Sequence, residues 1–187
     1  MFFVANHMAL TATIYNFEVD LADEDRGVFE SLALRVARHP SESEEYLWAR
    51  VLAYALEYGE GIQFSRGGIS EPDEPPIAIR DLTGAYQSWI EIGAPDAERL
   101  HKAAKLSARV VAYAHKDPSQ WLARLDGVKI HRAEAVELLA LDRALIARLI
   151  PHLERRVAMS LSVVDRELYV SIGKESLAGR VERLHLS

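Results

Sequence analysis

The chain has 187 residues, 49% of them hydrophobic and 27% charged, which is the composition of an ordinary globular protein. No apolar run approaches the roughly 20 residues of a membrane-spanning helix, and the lack of cysteine excludes disulfide bonds and thiolate chemistry. A net charge of −6 argues against a histone-like coat for nucleic acid. We expect a single-domain, cytoplasmic protein with no membrane association.

The first predicted element is a β-hairpin. Residues 8–20 alternate between two faces with the period of a half-buried strand. After an acidic turn at 21–27, residues 28–39 fit a strand but are also compatible with a helix. We predict a strand, because a hairpin with the first strand would bury the apolar faces of both.

A helix is expected after the hairpin. Pro40 ends the second strand, and Ser41 with Glu44 three residues later has the spacing of a capping box. The helix should therefore run from this point to about Tyr58, with its apolar stripe facing the core.

Glu45 lies within this helix and is placed by the pattern on its apolar side. A carboxylate there is costly unless a cation or a metal ion receives it. A salt bridge to Arg50 or Arg66 would satisfy the carboxylate without any functional role, and the helix by itself favours this interpretation.

The middle of the chain has the densest succession of strand and turn signals. Residues 59–76 are rich in glycine, proline and acidic residues, so we predict a loop with one possible short strand at 62–64. The predicted elements that follow are a strand at 77–81, a strand at 86–92, a helix at 95–107 and a strand at 109–114.

The last third of the chain completes a mixed α/β (α+β) domain with additional β-hairpins. A short helix is predicted at 121–125, and residues 133–141 fit a strand or a helix. The remaining predicted elements are a helix at 142–155 that breaks near Pro151, a hairpin at 157–172 that turns at Asp165 and Arg166, and an edge strand at 176–185.

The charged residues of the middle stretch suggest metal-dependent chemistry. Asp81 ends one predicted strand, and Glu91 lies between isoleucines in the next, where a solvated acid would be unusual. Arg99, Lys102 and Lys105 follow on the predicted helix. Two carboxylates can hold magnesium, which keeps several waters, and a nearby lysine can neutralise a phosphodiester during hydrolysis. The pattern therefore predicts a magnesium or manganese site.

Two alternatives accompany this hypothesis. The Lys102 side chain could reach back toward Glu91, but Lys102 could also form an ordinary surface pair with Glu98. If the two strands formed a tight hairpin, Asp81 would lie ~16 Å from Glu91. Asp73 is therefore kept as the alternative first metal ligand.

Other common sites are not indicated. The seven histidines show no H-E-x-x-H spacing, and the chain contains neither a G-x-S-x-G nor a G-x-G-x-x-G motif. The metal and phosphodiester hypothesis is therefore the one that these tests leave.

The sequence resembles the YaeQ family of bacterial proteins from Met8 onward. The motifs that carry the resemblance are, in order, ALTATIY, ARHPSESEEYLWARVLAYAL, QFSRG, DLTG and WIEIGAPDAERLHKA. Family members usually begin at the residue that matches Met8, so residues 1–7 are interpreted as an extension. The resemblance implies a variant of the restriction-endonuclease-like PD-(D/E)xK fold, with a mixed sheet and flanking helices.

The resemblance also implies a site. Asp81 matches the metal-binding acid, Glu91 the acid of the E-x-K element and Glu45 the acid of the first helix. Gly93 stands where the E-x-K lysine would be, so Lys102 on the following helix would replace that lysine.

Three functions are compatible with these residues. The first is a magnesium-dependent nuclease or related phosphodiesterase acting on nucleic acid. The second is a nucleic-acid- or protein-binding module without turnover, and the third is a purely structural charge network. In the first, the predicted roles are Asp81 and Glu91 as metal ligands, Glu45 as a helper through water, Lys102 as the residue that orients the nucleophile or stabilises charge, and Arg99 and Lys105 as substrate contacts.

Overall fold

The computed structural model describes residues 11–65 and 73–186. These residues form ten strands and four α-helices, which confirms the mixed α+β class. The strands are β1 (Thr13–Asp23), β2 (Val28–Arg38), β3 (Ile62–Phe64), β4 (Ile77–Arg80), β5 (Tyr86–Ile92), β6 (Ser107–Ala114), β7 (Val136–Leu141), β8 (Arg156–Val164), β9 (Glu167–Ile172) and β10 (Glu175–Leu184). The helices are α1 (Glu44–Leu56), α2 (Ala97–Leu106), α3 (Ser119–Leu125) and α4 (Arg143–Leu149).

All ten strands belong to one mixed sheet in the order β2-β1-β8-β9-β10-β7-β6-β5-β4-β3. The sheet is nearly barrel-shaped, because its two edge strands line the same groove through Leu34 of β2 and Phe64 of β3. Helix α1 lies on the inner face, and its central residues Trp48 and Leu52 are fully buried there. Helices α2 and α3 cover the outer face of β5 and β6 in a second core.

The N-terminal hairpin has the predicted form. Strands β1 and β2 pair antiparallel from Thr13 opposite Arg38 to Asp23 opposite Val28, so the strand interpretation of the second segment is confirmed. The turn is shorter than predicted, because β1 continues to Asp23, whose buried carboxylate accepts hydrogen bonds from Arg26. Residues 8–10 of the predicted first strand lie outside the described residues.

The predicted start of α1 is wrong by two residues. Ser43 is the N-cap, and its hydroxyl accepts a hydrogen bond from the backbone N–H of Tyr46. Ser41 instead lies in the preceding turn, where its hydroxyl contacts the His39 ring at 2.6 Å. The helix ends at Leu56, slightly before the predicted boundary.

The C-terminal strand was predicted correctly as a strand but wrongly as an edge. Strand β10 pairs with β9 on one side and with β7 on the other, for example through Val181 opposite Leu141. It therefore joins the two halves of the sheet. Residues 133–141 were predicted as either a strand or a helix. They form the strand β7, which begins at Val136 after one 3₁₀ turn.

Helix α4 ends where proline was expected to break it. The α-helix stops at Leu149, and Pro151 lies in a following 3₁₀ turn, so the helix does not continue to Arg155. None of the helices in the two described ranges has the length and apolarity needed to cross a bilayer.

The contact between β10 and α4 gives a stability prediction. A Cβ atom added at Gly179 would lie 2.7 Å from the Leu145 Cβ and 3.0 Å from the Asp142 Cβ. We expect Gly179→Ala to lower the free energy of unfolding by about 1–3 kcal/mol, because the helix must move away from the strand. Urea denaturation measures this change. The control Ala178→Ser lies on the exposed face and should change stability by less than about 0.5 kcal/mol; equal effects would contradict the packing argument.

Candidate functional site

The site is built at the C-terminal end of β5, under the N-terminal part of α2. Strand β5 is interior, between β4 and β6, as the sequence predicted for Glu91. The Glu91 side chain shares the outer face with Trp89 and is 3% exposed. A buried carboxylate in this position requires partners, because an unpaired charge is costly to bury.

Two donors share one oxygen of Glu91. The Trp89 Nε1 and the Arg99 Nε each donate to the Glu91 Oε1 at 2.6 Å. Burial raises the pKa of the Glu91 carboxyl, while the hydrogen bond from Trp89 and the charge of Arg99 act in the opposite direction. The carboxylate is therefore held in place but only partly compensated for its loss of water.

A second ion pair lies beside the first. The Lys102 ammonium contacts the Asp73 carboxylate, and Arg99 also donates from Nη2 to the Glu74 carbonyl at 3.0 Å. Arg99 and Lys102 are three residues apart on α2, so they face the same side of the helix. The structure thus brings together Asp73, Glu91, Arg99 and Lys102. Lys102 pairs with Asp73 and not with Glu98.

Asp81 lies at the other end of the β4–β5 hairpin. Its Oδ1 accepts hydrogen bonds from the backbone and hydroxyl of Thr83 and from the Ala85 N–H, while Oδ2 accepts from Gln87. The Thr83 hydrogen bonds are the main reason that the pKa of Asp81 lies below its ordinary value. Asp81 therefore stabilises the turn between β4 and β5.

The register of β4 and β5 separates Asp81 from Glu91, so these two residues do not form the predicted metal pair. The Asp81 carboxylate is held by Gln87, four residues before Glu91 on β5, which corresponds to about 13 Å. Two carboxylates at that separation cannot share one ion. Asp73, the alternative, precedes β4 and lies at the same end of the hairpin as Glu91, because Ile77 is opposite Ile90.

Glu45 is placed differently from the prediction. It is exposed in the first turn of α1, whereas the buried arginine of that helix, Arg50, pairs with Glu42 at 2.7 Å. A hydrogen bond from its own backbone N–H lowers the pKa of Glu45, and the charges of His115 and Lys116 act in the same direction. The other partner considered, Arg66, lies outside the described residues.

Lys105 does not join the cluster. It is exposed in the last turn of α2 and forms no ion pair with any residue in 11–65 or 73–186. Its position, one turn beyond Lys102, leaves it available only to a molecule that lies along the helix.

Gly93 cannot be replaced by the lysine of an E-x-K element without strain. Its φ is +101°, a backbone conformation that side-chain-bearing residues rarely adopt. A Cβ atom there would lie 3.8 Å from the His115 Cε1, an ordinary contact, so the strain comes from the backbone alone. The chain turns at this residue between β5 and α2, and the cations that contact Glu91 and Asp73 come from the helix.

Several residues of the site were not predicted. Trp89 could have been found, since it precedes Glu91 by two residues and therefore shares its face of β5. Tyr46 had no sequence signal; burial raises its pKa to about 12, and the charges that act on it include Glu91 and Arg99. The neighbouring His115 ring lies 5.9 Å from the Tyr46 ring.

The donor set suits a hard divalent cation. No group of three or more histidine, aspartate and glutamate side chains with metal-binding geometry occurs among the residues that the structure describes. Magnesium, however, is commonly held by one or two carboxylates together with waters. The oxygens of Asp73 and Glu91 fit that chemistry.

The sequence model of the YaeQ protein family matches residues 8–181. This chain belongs to the YaeQ family. The YaeQ protein of Salmonella typhi is 33% identical and that of Escherichia coli (strain K12) 31% identical, each over 172 residues that make up 91% of this chain and 94% of the relative. The predicted resemblance is confirmed.

Crystal structures of YaeQ proteins have the same fold. The protein from Pseudomonas syringae superposes with a TM-score of 0.84 at 30% identity, covering 93% of this chain and 96% of that one. The protein from Xanthomonas axonopodis pv. citri gives a TM-score of 0.82 at 29% identity, covering 92% and 98%. This chain therefore shares its overall fold with these two YaeQ proteins.

The raised pKa of Glu91 predicts a pH-dependent stability difference. Folding makes this carboxyl hold its proton more tightly than in the unfolded chain, where its pKa is near 4.5. Its contribution to stability is therefore most favourable below pH 4.5 and falls as pH rises through the folded pKa. Glu91→Gln keeps an acceptor for Trp89 and cannot ionise. We expect its stability relative to wild type to be greater at pH 7 than at pH 4.

Chemical denaturation of both proteins at the two pH values checks this expectation. The control is Glu60→Gln, which removes one exposed carboxylate. If the stability of wild type instead rose relative to that of Glu91→Gln with increasing pH, Arg99 and Trp89 would fully compensate the carboxylate, contrary to the prediction.

Proposed function

We propose that this YaeQ protein is a divalent-metal-dependent phosphodiesterase that acts on nucleic acid. The observation that carries the proposal is the convergence of Asp73, Glu91, Arg99 and Lys102 at one end of the β4–β5 hairpin. The mixed sheet with α1 and α2 on its two faces agrees with the restriction-endonuclease-like PD-(D/E)xK core that the family resemblance implied. We propose that core for the segment from α1 to β6.

Each residue has a proposed role that follows from its position. Asp73 and Glu91 would hold magnesium or manganese, which when bound supplies charge neutralisation and an acidified water. Lys102 and Arg99 would bind the phosphate oxygens, with Arg99 suited to a two-point contact. Glu45 is exposed and would act only through water, and Lys105 would contact a strand that follows α2.

Metal binding is the first test, because it requires no knowledge of the substrate. Isothermal titration of manganese into wild type, Asp73→Asn and Glu91→Gln should show binding to wild type and a loss of at least about tenfold in each variant. Asp81→Asn is the matched control: its carbonyl can still accept the turn hydrogen bonds, and we expect wild-type affinity. Loss of binding in Asp81→Asn alone would overturn the assignment of Asp73.

A cleavage assay then separates the two candidate functions. Single-stranded and duplex oligonucleotides incubated with manganese should be cut by wild type and not by Glu91→Gln. The second candidate, a nucleic-acid-binding module without turnover, is favoured by Gly93, which removes the lysine from its usual place. Under that function wild type and Glu91→Gln would bind oligonucleotides and cut none.

A further inference from the structure

Each of the two acids of the site is paired with a cation from α2. Glu91 is paired with Arg99, and Asp73 is paired with Lys102. Both cations stand on one face of α2, and each contacts a different carboxylate. The two acids that would hold a metal ion are thus already engaged by the two cations that would hold a phosphate.

A divalent cation alone fits this arrangement poorly. If it binds the two carboxylates, it replaces Arg99 and Lys102 as their partner and leaves two positive side chains beside a third positive centre. Like charges at such short distances repel strongly in a partly buried site. An anion that arrives with the metal removes this repulsion, since the released guanidinium and ammonium groups can bind its oxygens.

The side chains have the freedom to exchange partners. The Lys102 side chain is 46% exposed and the Asp73 side chain 83%, so their ion pair is of the weakly stabilising surface type. Arg99 is 28% exposed, so an anion can approach its side chain from the solvent.

We propose that the site binds a divalent cation and a phosphate-type anion as a pair, with Arg99 and Lys102 passing from the carboxylates to the anion. The inference rests on the proposed function for the identity of the metal ligands. By linkage, each ligand then strengthens the other by the same factor. The metal should bind weakly alone.

The test is manganese titration with and without a phosphodiester probe, the thymidine dinucleotide TpT. For wild type we expect TpT to strengthen manganese binding on the order of tenfold, as is typical of coupled sites. The uncharged methylphosphonate analogue of TpT should have no effect. Thymidine 5′-monophosphate provides a second arm, and enhancement by it alone would assign the anion to a terminal phosphate.

Variants of α2 give the more distinctive result. Lys102→Gln and Arg99→Gln should each bind manganese several-fold more tightly than wild type in the absence of TpT, because a competitor for the carboxylates is gone. They should also lose most of the enhancement by TpT. Lys174→Gln removes the same charge from the exposed turn between β9 and β10, a residue with no proposed role in binding, and it should behave as wild type. Lys102→Gln alters a side chain that is 46% exposed and outside both cores, so we expect the variant to fold.

The outcomes separate this inference from the proposed function. Manganese binding that depends on Asp73 and Glu91 but is unaffected by TpT, or unchanged in both α2 variants, would overturn the exchange and leave the metal site standing. If wild type binds no manganese even with TpT present, both proposals fail.

Discussion

Replacing Arg50 by methionine should lower the free energy of unfolding by about 3–5 kcal/mol, the range found when one member of a buried ion pair is removed. Arg50 is 2% exposed within α1. Its Nη2 donates to the Glu42 carboxylate at 2.7 Å and to the Ala37 carbonyl at 2.8 Å. The variant keeps the apolar volume but deprives the buried Glu42 carboxylate and the Ala37 carbonyl of this donor.

Arg50 also connects separate parts of the fold, which adds to the expected loss. Its guanidinium lies over the Tyr46 ring at 5.6 Å and the Phe64 ring at 5.9 Å. It thereby ties both open edges of the sheet to α1. Urea denaturation measures the loss, and the control Arg35→Met, on the exposed face of β2, should change stability by less than about 0.5 kcal/mol. Similar losses in the two variants would show that burial of the pair is unimportant.

Gly93→Lys is expected to destabilise the protein by about 1–3 kcal/mol, the usual effect of forcing a side chain into a strained backbone region. The backbone N–H of Gly93 donates to the Tyr113 carbonyl at 2.8 Å, which fixes the turn at its φ of +101°. The substitution places a lysine at the E-x-K position, two residues after Glu91.

This variant also tests which lysine the proposed phosphodiesterase uses. If Lys102 is that residue, the combination of Gly93→Lys with Lys102→Gln should remain as inactive as Lys102→Gln alone in the cleavage assay. Gly93→Ala serves as the control for strain without a cation. Recovery of cleavage in the combined variant would show that the relocated lysine is not required.

Most strands and helices could be predicted from local hydrophobic patterns, because each buried position of an element must carry an apolar residue. The alternation of Tyr15, Phe17 and Val19 identifies β1, since one face of a strand must be apolar when the other is wet. The helix start was missed because Ser41 and Ser43 both have capping side chains. Only the turn at His39, which positions the chain, decides between them.

The pairing of strands that are distant in the sequence could not be predicted, because no local pattern records it. Nothing near Val181 in the sequence indicates that Leu141 lies beside it, so β10 could be predicted as a strand but not as an interior one. The contacts within the site could not be predicted for the same reason. Glu91 was identified because an acid among isoleucines is unusual. Its proximity to Asp73 and Arg99 depends on how the β4–β5 hairpin packs against α2.

The parallel pairing of β1 with β8 bears on the time course of folding. Asn16 lies opposite Arg156, so the N-terminal hairpin joins the sheet only through a strand made near the end of synthesis. Contacts between such distant residues form slowly, because a long loop must close first. On the ribosome we expect α1, which follows the hairpin and packs Trp48 against Phe17, to cover its apolar face early, while the edge of β1 stays unpaired until β8 emerges. During that interval the unpaired edge of β1 is open to pairing with another chain.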